Sequence, residues 1–339
     1  MSNPTNPQQT TVFCGIDVSA ATLAVAVIEA DQPLQQREFA NRASGHKALI
    51  GWLHKRKSQV RVSLEATGAY SLDLALALDA APHVELAVLN PKMVNRFAQT
   101  LRRSKTDAAD AVVLAEYSRR MPFLAWTRPS LSGLRLRAMG RHIAALVAQH
   151  AREQNRLHAA VGSQTAPRCV VQDLKRSLAS LQRRIVKMRR EALALVRSDS
   201  DVEQRFRLLI GMPGIAETSA LAILGELALL SPHMTARQWV AHSGLDPTHQ
   251  ESGTSVRKPA RISRAGNRHL RRALYMPALA AIRWDPHMKA FYDALQTRHK
   301  TKLQAIVAVA RKLLHAIYGV FKTRTPYDGC KLFPQLKAA

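Results

Sequence analysis

The chain has 339 residues, 47% of them hydrophobic, which excludes a disordered chain and is enough for two or three folded units. Its 50 lysines and arginines outnumber its 24 aspartates and glutamates, and a net charge of +26 favours nucleic acid as a partner over a merely soluble basic surface. The three cysteines, Cys14, Cys169 and Cys330, match neither a disulfide framework nor a zinc-ligand pattern, so we expect a reducing cytoplasm.

The chain begins with ten polar, uncharged residues, which predict a loose tail rather than a signal peptide. No later run of about 18 apolar residues marks a membrane span. Short apolar strands then alternate with helical stretches. The predicted strands are 11–18, 23–28, 36–39, 60–64 and 84–89, and helices are predicted around 49–53, over 71–78, around Phe97 and over 107–117. This order indicates a mixed α/β sheet with helices on its faces, as in the ribonuclease H-like fold.

Four carboxylates project from these apolar elements of a strongly basic chain. Asp17 and Glu65 lie near strand ends, and Asp107 and Asp110 lie three residues apart on one helix face. Like charges at that spacing repel by a few tenths of a kcal/mol unless a cation bridges them, and Mg²⁺ prefers oxygen ligands. We therefore predict a site for one or two Mg²⁺ ions. The alternatives are that Asp107 serves the start of its helix and that Asp17 is a turn residue.

A long helical middle region, 129–200, follows a polar link that ends at Pro129. Within 174–195, apolar residues recur at alternating spacings of four and three, which is typical of a coiled coil. The helix over 134–158 would be its antiparallel neighbour. A hairpin closed on itself and a dimer seam both remain open.

The outward positions of the 174–195 helix are nearly all basic. A solvated helix face usually mixes charges of both signs, so this face indicates contact with nucleic acid. The residues are Lys175, Arg176, Arg183, Arg184, Lys187, Arg189 and Arg190.

The third region, 201–328, is predicted to be mostly helical, with a tail over 329–339. The turn at Gly214 resembles a helix-hairpin-helix, in which glycine lets backbone amides approach a phosphate, although an ordinary Pro-Gly turn between packed helices gives the same pattern. Further along, 251–272 holds seven lysines or arginines and one acid at loop-like spacing, which suits phosphate binding. The candidate residues there are Arg257, Lys258, Arg261, Ser263, Arg264 and Arg268.

Six short segments occur along residues 12–328 in a fixed order. They are Gly15-Ile16-Asp17-Val18-Ser19, Glu65-Ala66-Thr67-Gly68-Ala69-Tyr70, Asn90-Pro91, Lys105-Thr106-Asp107-Ala108-Ala109-Asp110-Ala111, Pro213-Gly214-Ile215 and Ser252-Gly253-Thr254-Ser255-Val256-Arg257. Each is weak alone, but the ordered set resembles the DEDD transposases of bacterial insertion sequences, the IS110 (one-ten) family. One departure is Ala216, where the hairpin motif would often have a second glycine.

The resemblance implies a RuvC-like catalytic domain over 11–128 that carries the four acids. It also implies a C-terminal transposase domain with Ser252 as nucleophile, chosen over Ser255 and Ser263 by its place in the motif. Donor and target DNA, a structured bridge RNA, and a homodimer that assembles into a tetramer are implied as partners. Because Ser252 lies in a different domain from the acids, we expect a composite active site.

The resulting hypothesis is a DNA recombinase that works through a phosphoserine intermediate. Arg257 and Arg261 would clamp phosphate oxygens, and Lys105 would contact nucleic acid beside the helix acids. Two alternatives stay open. One is a RuvC-like nuclease that uses metal-activated water and leaves no protein–DNA adduct; the other is a non-catalytic nucleic-acid-binding protein.

Overall fold

The structure is a computed structural model that describes residues 11–30, 32–66, 68, 70–101, 106–252 and 256–333. The chain divides into two units, Met1–Arg128 and Pro129–Ala339.

Over its described residues, the first unit forms a five-stranded mixed sheet in the order β3-β2-β1-β4-β5. Strands β1, β2 and β3 pair antiparallel, whereas β1, β4 and β5 run parallel. The sequence predicted this sheet, and each observed strand begins and ends within one residue of its prediction. The elements are β1 (Val12–Val18), β2 (Thr22–Ile28), β3 (Gln35–Ala40), α1 (Ala43–His54), β4 (Val60–Glu65), α2 (Leu72–Asp79), β5 (Val84–Leu89), α3 (Pro91–Leu101) and α4 (Asp107–Arg120).

The two faces of the sheet separate along β1 because side chains alternate along a strand. Cys14 and Ile16 are buried in a core that also contains residues of α1 and α2. The other face carries Gly15, which lies against α4: a Cβ atom there would be 2.1 Å from the carbonyl oxygen of Ala111 and 2.3 Å from the amide nitrogen of Ala115. Only glycine permits the backbones of β1 and α4 to approach this closely.

The described part of the second unit is mostly helical, as the sequence predicted, and it also contains a two-stranded hairpin. Its elements are α5 (Leu131–Gly162), α6 (Arg168–Arg197), α7 (Ser200–Ile210), α8 (Glu217–Leu227), α9 (Ala236–Ser243), β6 (Pro247–Ser252), β7 (Val256–Ile262), α10 (Arg268–Trp284), α11 (Pro286–Thr297), α12 (Lys302–Thr323) and α13 (Gly329–Leu332).

Helices α5 and α6 form a long helical hairpin. Its predicted seam residues Leu174, Leu181 and Ile185 are buried, whereas a coiled-coil geometry stays a prediction. Near the open end of the hairpin, Ile143 and Val196 belong to the same core as α8, α10 and α12. The region 129–200, set apart by the sequence, therefore shares its core with the helices that follow.

Helix α12 contributes many of the buried residues of this core. Its length and composition would allow it to cross a membrane, with a mean hydropathy of 1.3 over its most apolar window. Eight of its 22 residues are buried inside the unit, so packing against the core uses part of that apolar surface. The buried residues are Ala305, Val309, Ala310, Leu313, Leu314, Ala316, Ile317 and Val320.

The predicted tail over 329–339 is wrong at its beginning. Residues 329–332 form α13, and Phe333 is buried, stacked on His287 at 6.5 Å between ring centroids and tilted against Phe291 at 5.5 Å. The ring contacts of Phe333 attach this segment to α11.

Candidate active site and nucleic-acid interface

The first two predicted acids lie on neighbouring parallel strands. Gly15 pairs with Ser63 and Ile16 pairs with Leu64 in the β1–β4 register. The next step along both strands is Asp17 and Glu65, at their carboxyl ends. Because Gly15 faces α4, the alternation places both acids on the sheet face that α4 covers. Both are partly exposed.

The other two acids lie in the first turn of α4. Thr106 begins the helix: its hydroxyl accepts a hydrogen bond from the amide of Ala109 at 3.3 Å, which makes Thr106 the N-cap. The side-chain amide of Gln36 on β3 donates to the carbonyl oxygen of Ala108 at 3.0 Å. The bond from Gln36 and the contact between Gly15 and Ala111 hold the start of α4, which carries Asp107 and Asp110, against the sheet.

The four acids supply carboxylate oxygens, the ligands that Mg²⁺ prefers, so their chemistry fits this ion. Among the described residues, however, no group of three or more histidine, cysteine, aspartate or glutamate side chains is close enough together to hold a metal ion. The elements that bear the four acids are neighbours, because β1 pairs with β4 and α4 lies against β1 at Gly15.

The predicted nucleophile lies at the end of a strand. Ser252 is the last residue of β6 and pairs with Val256, the first residue of β7. The loop-like spacing predicted for 251–272 holds for residues 263–267, whereas 256–262 form β7 and α10 begins at Arg268. The side chains of Ser252, Arg257 and Lys258, and the whole of Lys105, lie outside the described part of the structure, and their roles stay predictions.

The hydroxyl of Ser263 has a partner within the protein. It donates to Asp246 at 2.5 Å and accepts from the amide of Ala265 at 3.3 Å, which ties the end of β7 to the segment before β6. This is the turn-forming role that serine often has. Arg261 and Arg264 are exposed.

The turn at Gly214 packs against α10. Gly214 has a φ of +91°, and a Cβ atom there would be 2.8 Å from the carbonyl oxygen of Pro277 and 2.6 Å from the amide of Ala281. Both its conformation and this close approach require glycine. Contact of the same turn with phosphate stays a prediction.

Comparison with known families decides the identity of the chain. A transposase model for the DEDD transposases of the IS110 type matches residues 14–166, and the model "Transposase IS116/IS110/IS902 family" matches residues 206–293. The two models together match more than two thirds of the chain. It belongs to the IS110 family of DEDD transposases. The protein is therefore a transposase that breaks and rejoins DNA strands.

The chain is similar to individual relatives and to one solved structure. The transposase is 29% identical over 325 residues to the pilin gene-inverting protein of Moraxella bovis, covering 93% of this chain and 97% of that protein. It is 30% identical over 152 residues to an uncharacterised protein of the insertion element IS110 of Streptomyces coelicolor, covering 45% and 37% of the two chains. The Thermus thermophilus RuvC structure aligns over 32% of this chain and 95% of its own, with 18% identity and a TM-score of 0.24.

The basic face predicted on α6 of the transposase is exposed. Arg183 and Arg184 both face solvent, whereas Leu181 and Ile185 are buried. Arg183, together with Lys187 and Arg190, lines a shallow cavity of 340 Å³. A helix with one buried apolar side and one basic side has its cations available for phosphate contacts.

A buried ion pair in the transposase was not predicted. Glu226 on α8 is 4% exposed, and Arg141 on α5 donates to it from Nε at 2.6 Å and from Nη2 at 2.9 Å. Asn267 donates from Nδ2 at 2.6 Å. Burial alone would raise the pKa of Glu226, but these hydrogen bonds and the positive charges of Arg141 and His269 outweigh it, and the pKa is lowered. A lone glutamate inside the apolar run of residues 220–230 was the available signal.

Proposed function

We propose that this transposase exchanges DNA strands through a covalent phosphoserine formed on Ser252, assisted by Mg²⁺ held on Asp17, Glu65, Asp107 and Asp110. The observation that carries the proposal is the arrangement of Asp17 beside Glu65, at the ends of parallel strands and on the face covered by α4. Both acids lie where ligands bind in α/β sheets, outside the carboxyl ends of strands.

The four carboxylates would hold the Mg²⁺ ions, and the positive charge of the ions would offset the repulsion among the carboxylates. When bound, Mg²⁺ neutralises phosphate oxygens and stabilises the charge that develops in the transition state. The close contact between Gly15 and α4 fixes the acids of the strands and the helix relative to one another. A rigid arrangement of this kind keeps oxygen donors in place for phosphoryl chemistry.

The phosphoserine ester replaces the broken phosphodiester bond, so the DNA strand can be rejoined without a new energy source. Ser252 Oγ attacks the scissile phosphorus, its proton passes to a base, and the phosphorus–oxygen bond to the leaving strand breaks. The hydroxyl of the incoming strand then attacks the phosphoserine, and the serine takes back a proton as it leaves. Arg257 and Arg261 bind the nonbridging oxygens, for which guanidinium groups are suited. No external energy source is required.

The partners are donor and target DNA and a structured bridge RNA that pairs with both. The net charge of +26 and the exposed basic face of α6 support binding of several polyanions at once. A homodimer assembling into a tetramer would bring together four copies of the catalytic groups, one from each chain. Because its substrate is DNA, the protein acts in the bacterial cytoplasm, at the nucleoid.

The serine is tested with labelled donor DNA in Mg²⁺ on a denaturing gel. The wild-type protein should form an adduct that peptide mapping places on Ser252, and Ser252→Ala should form none while it still binds DNA and RNA. Ser255→Ala and Ser263→Ala are the matched controls and should retain adduct. Cleavage by the wild-type protein without any adduct would instead support a nuclease that uses activated water.

The metal site is tested by Asp17→Asn and Asp110→Asn, which keep side-chain size and remove charge. Both variants should lose strand exchange and keep nucleic-acid affinity, since the acids bind the metal and not the backbone of DNA. Wild-type recombination by either variant in Mg²⁺ would overturn the metal assignment. Loss of nucleic-acid binding as well would indicate a purely structural role.

A further inference from the structure

The second unit contains a cavity of 540 Å³ that is lined by α5, α8 and α10. Its volume lies within the usual range for small-molecule and nucleotide sites, roughly 300–1,000 Å³. Arginines and an exposed apolar patch meet at its wall. The arginines that α10 contributes to the wall are Arg268, Arg271 and Arg272, and the apolar residues include Val147, Tyr275 and Met276. Arg141 and His269 also line the cavity.

Hydrogen bonds within the second unit fix the start of α10, which carries these arginines. Asn267 is the N-cap of α10: its side-chain oxygen accepts from the amides of His269 and Leu270, while its Nδ2 donates to the buried Glu226. Because Glu226 is also bonded to Arg141, the start of α10 is anchored to both α5 and α8. Nη1 of Arg271 donates to the carbonyl oxygen of Ser243 at 2.7 Å. Arg268 and Arg272, which are both exposed, thus extend from a fixed helix start.

The apolar side of the wall is unusually exposed. Met276 is 63% exposed, Tyr275 39% and Val147 38%. Large apolar side chains that face solvent together usually mark a binding site. An aromatic ring beside guanidinium groups is the combination that binds single-stranded nucleic acid, because bases stack on the ring and phosphates pair with the cations.

A DNA duplex cannot contact both the arginines and the apolar residues of this cavity. Its bases are stacked inside the helix, so it presents mainly phosphates to a pocket of this size. An unpaired nucleotide offers a flat apolar base and a phosphate together. The charge of the pocket, with three arginines and a glutamate already paired to Arg141, is complementary to that phosphate.

We propose that this cavity binds an unpaired nucleotide of DNA or RNA, with the base against Tyr275 and Met276 and the phosphate on Arg268 and Arg272. The inference rests on the nucleic-acid binding of the proposed function and adds a preference for single strands at a defined place. The base would be read through its flat face, so the pocket should tolerate any of the bases.

The test uses the full chain and three probes: a short single-stranded oligothymidine DNA, the matching oligouridine RNA, and a DNA duplex. In Tyr275→Ala/Met276→Ala, affinity for the single-stranded probes should fall about 5- to 100-fold, and duplex affinity should stay unchanged. A loss confined to the DNA strand or to the RNA strand identifies the source of the nucleotide. Tyr275→Phe keeps the ring and should bind like the wild type.

Trp284→Ala is the matched control, because Trp284 is 66% exposed on the same helix and does not line the cavity. It should change neither affinity. A fluorescent adenine analogue in the strand should be quenched by the wild-type protein and not by the double variant. The proposed nucleotide site would be refuted if the double variant and the wild type bound single strands equally well. It would also be refuted if the double variant lost affinity for single strands and for duplex by the same factor.

Two further outcomes separate the possibilities. Displacement of the fluorescent strand by a short polyglutamate peptide at equal concentration would assign the cavity to an acidic protein segment and overturn the inference. If the wild-type protein binds none of the three probes, the proposed function fails as well. If it binds them and forms the Ser252 adduct while the double variant matches it, only the pocket fails.

Discussion

Gly15→Ala tests whether the contact between β1 and α4 positions the catalytic acids. The new methyl group would lie 2.1 Å from the carbonyl oxygen of Ala111 and 2.3 Å from the amide nitrogen of Ala115, both backbone atoms. Restoring an ordinary contact of 3.4 Å requires the two elements to separate by roughly 1.3 Å, because neither backbone group can rotate away. The shift carries Asp107 and Asp110 away from the strand that bears Asp17.

Two losses of different size follow from that displacement. Overpacking a core costs about 1–3 kcal/mol, and the upper end applies here because the clash is with backbone atoms. A misplacement of about 1 Å at reacting groups lowers the rate by roughly 100-fold. We therefore expect adduct formation and recombination to fall by about two orders of magnitude. Nucleic-acid binding by the second unit should persist, because its core does not include β1 or α4.

The measurement combines urea denaturation, adduct formation in Mg²⁺ and binding to duplex DNA. Gly51→Ala is the matched control: Gly51 lies on the exposed side of α1 with nothing within 4 Å of an added Cβ, and the change should stabilise the unit by up to about 1 kcal/mol. Wild-type adduct formation by a folded Gly15→Ala protein would show that the separation of β1 and α4 does not control the acids.

Three further predictions concern the second unit. Glu226→Gln should lower the free energy of unfolding by about 2–3 kcal/mol, less than for a fully buried pair because Arg141 is 39% exposed. Because the folded-state pKa of Glu226 is lowered, its contribution is present above the ordinary value of 4.5 and is lost as the pH falls through the folded-state pKa; acid titration of unfolding should show less loss in the variant. Arg183→Ala/Arg184→Ala should weaken duplex binding equally for all DNA sequences. The slope of log binding constant against log salt concentration should become less steep by about 0.9 per lost phosphate contact, whereas an unchanged slope would show that this face does not contact DNA. Tyr327→Phe should cost about 1–2 kcal/mol in urea denaturation, because Tyr327 donates at 2.7 Å to the buried Asp285; no loss would mean that the carboxylate finds another donor.

The sheet of the first unit could be predicted because its strands are short apolar runs bounded by turns. The acids were visible for the same reason, since a carboxylate at the end of an apolar strand stands out. The register was not visible: only pairing shows that Ile16 lies opposite Leu64 and that Asp17 and Glu65 are neighbours. The role of Gly15 was also hidden, because it depends on a helix almost one hundred residues later.

The hairpin of β6 and β7 was missed because its residues lack the apolar alternation that marks a strand half-buried in a sheet. Its pairing is held instead by backbone hydrogen bonds and by side-chain bonds at its base, such as Thr248 to the carbonyl oxygen of Arg261 at 3.0 Å. Ser263 was predicted as a phosphate contact because it lies among arginines. Its partner Asp246 is 17 residues away in sequence, and no local pattern relates the two.

The buried Glu226 explains how several arginines can be held close together before any nucleic acid is bound. Cations that converge repel one another, and a strongly basic chain pays for such clusters in stability. Burial first, and then the charges of Arg141 and the neighbouring arginines, lower the pKa of His269 below its ordinary value. Glu226 supplies a fixed negative charge below α10. Replacing it has two opposed consequences: the wall of the cavity becomes more positive, while the helix start that directs Arg268 and Arg272 loses an anchor. A buried counter-charge therefore lets the same arginines be both stable in the free protein and available to a phosphate.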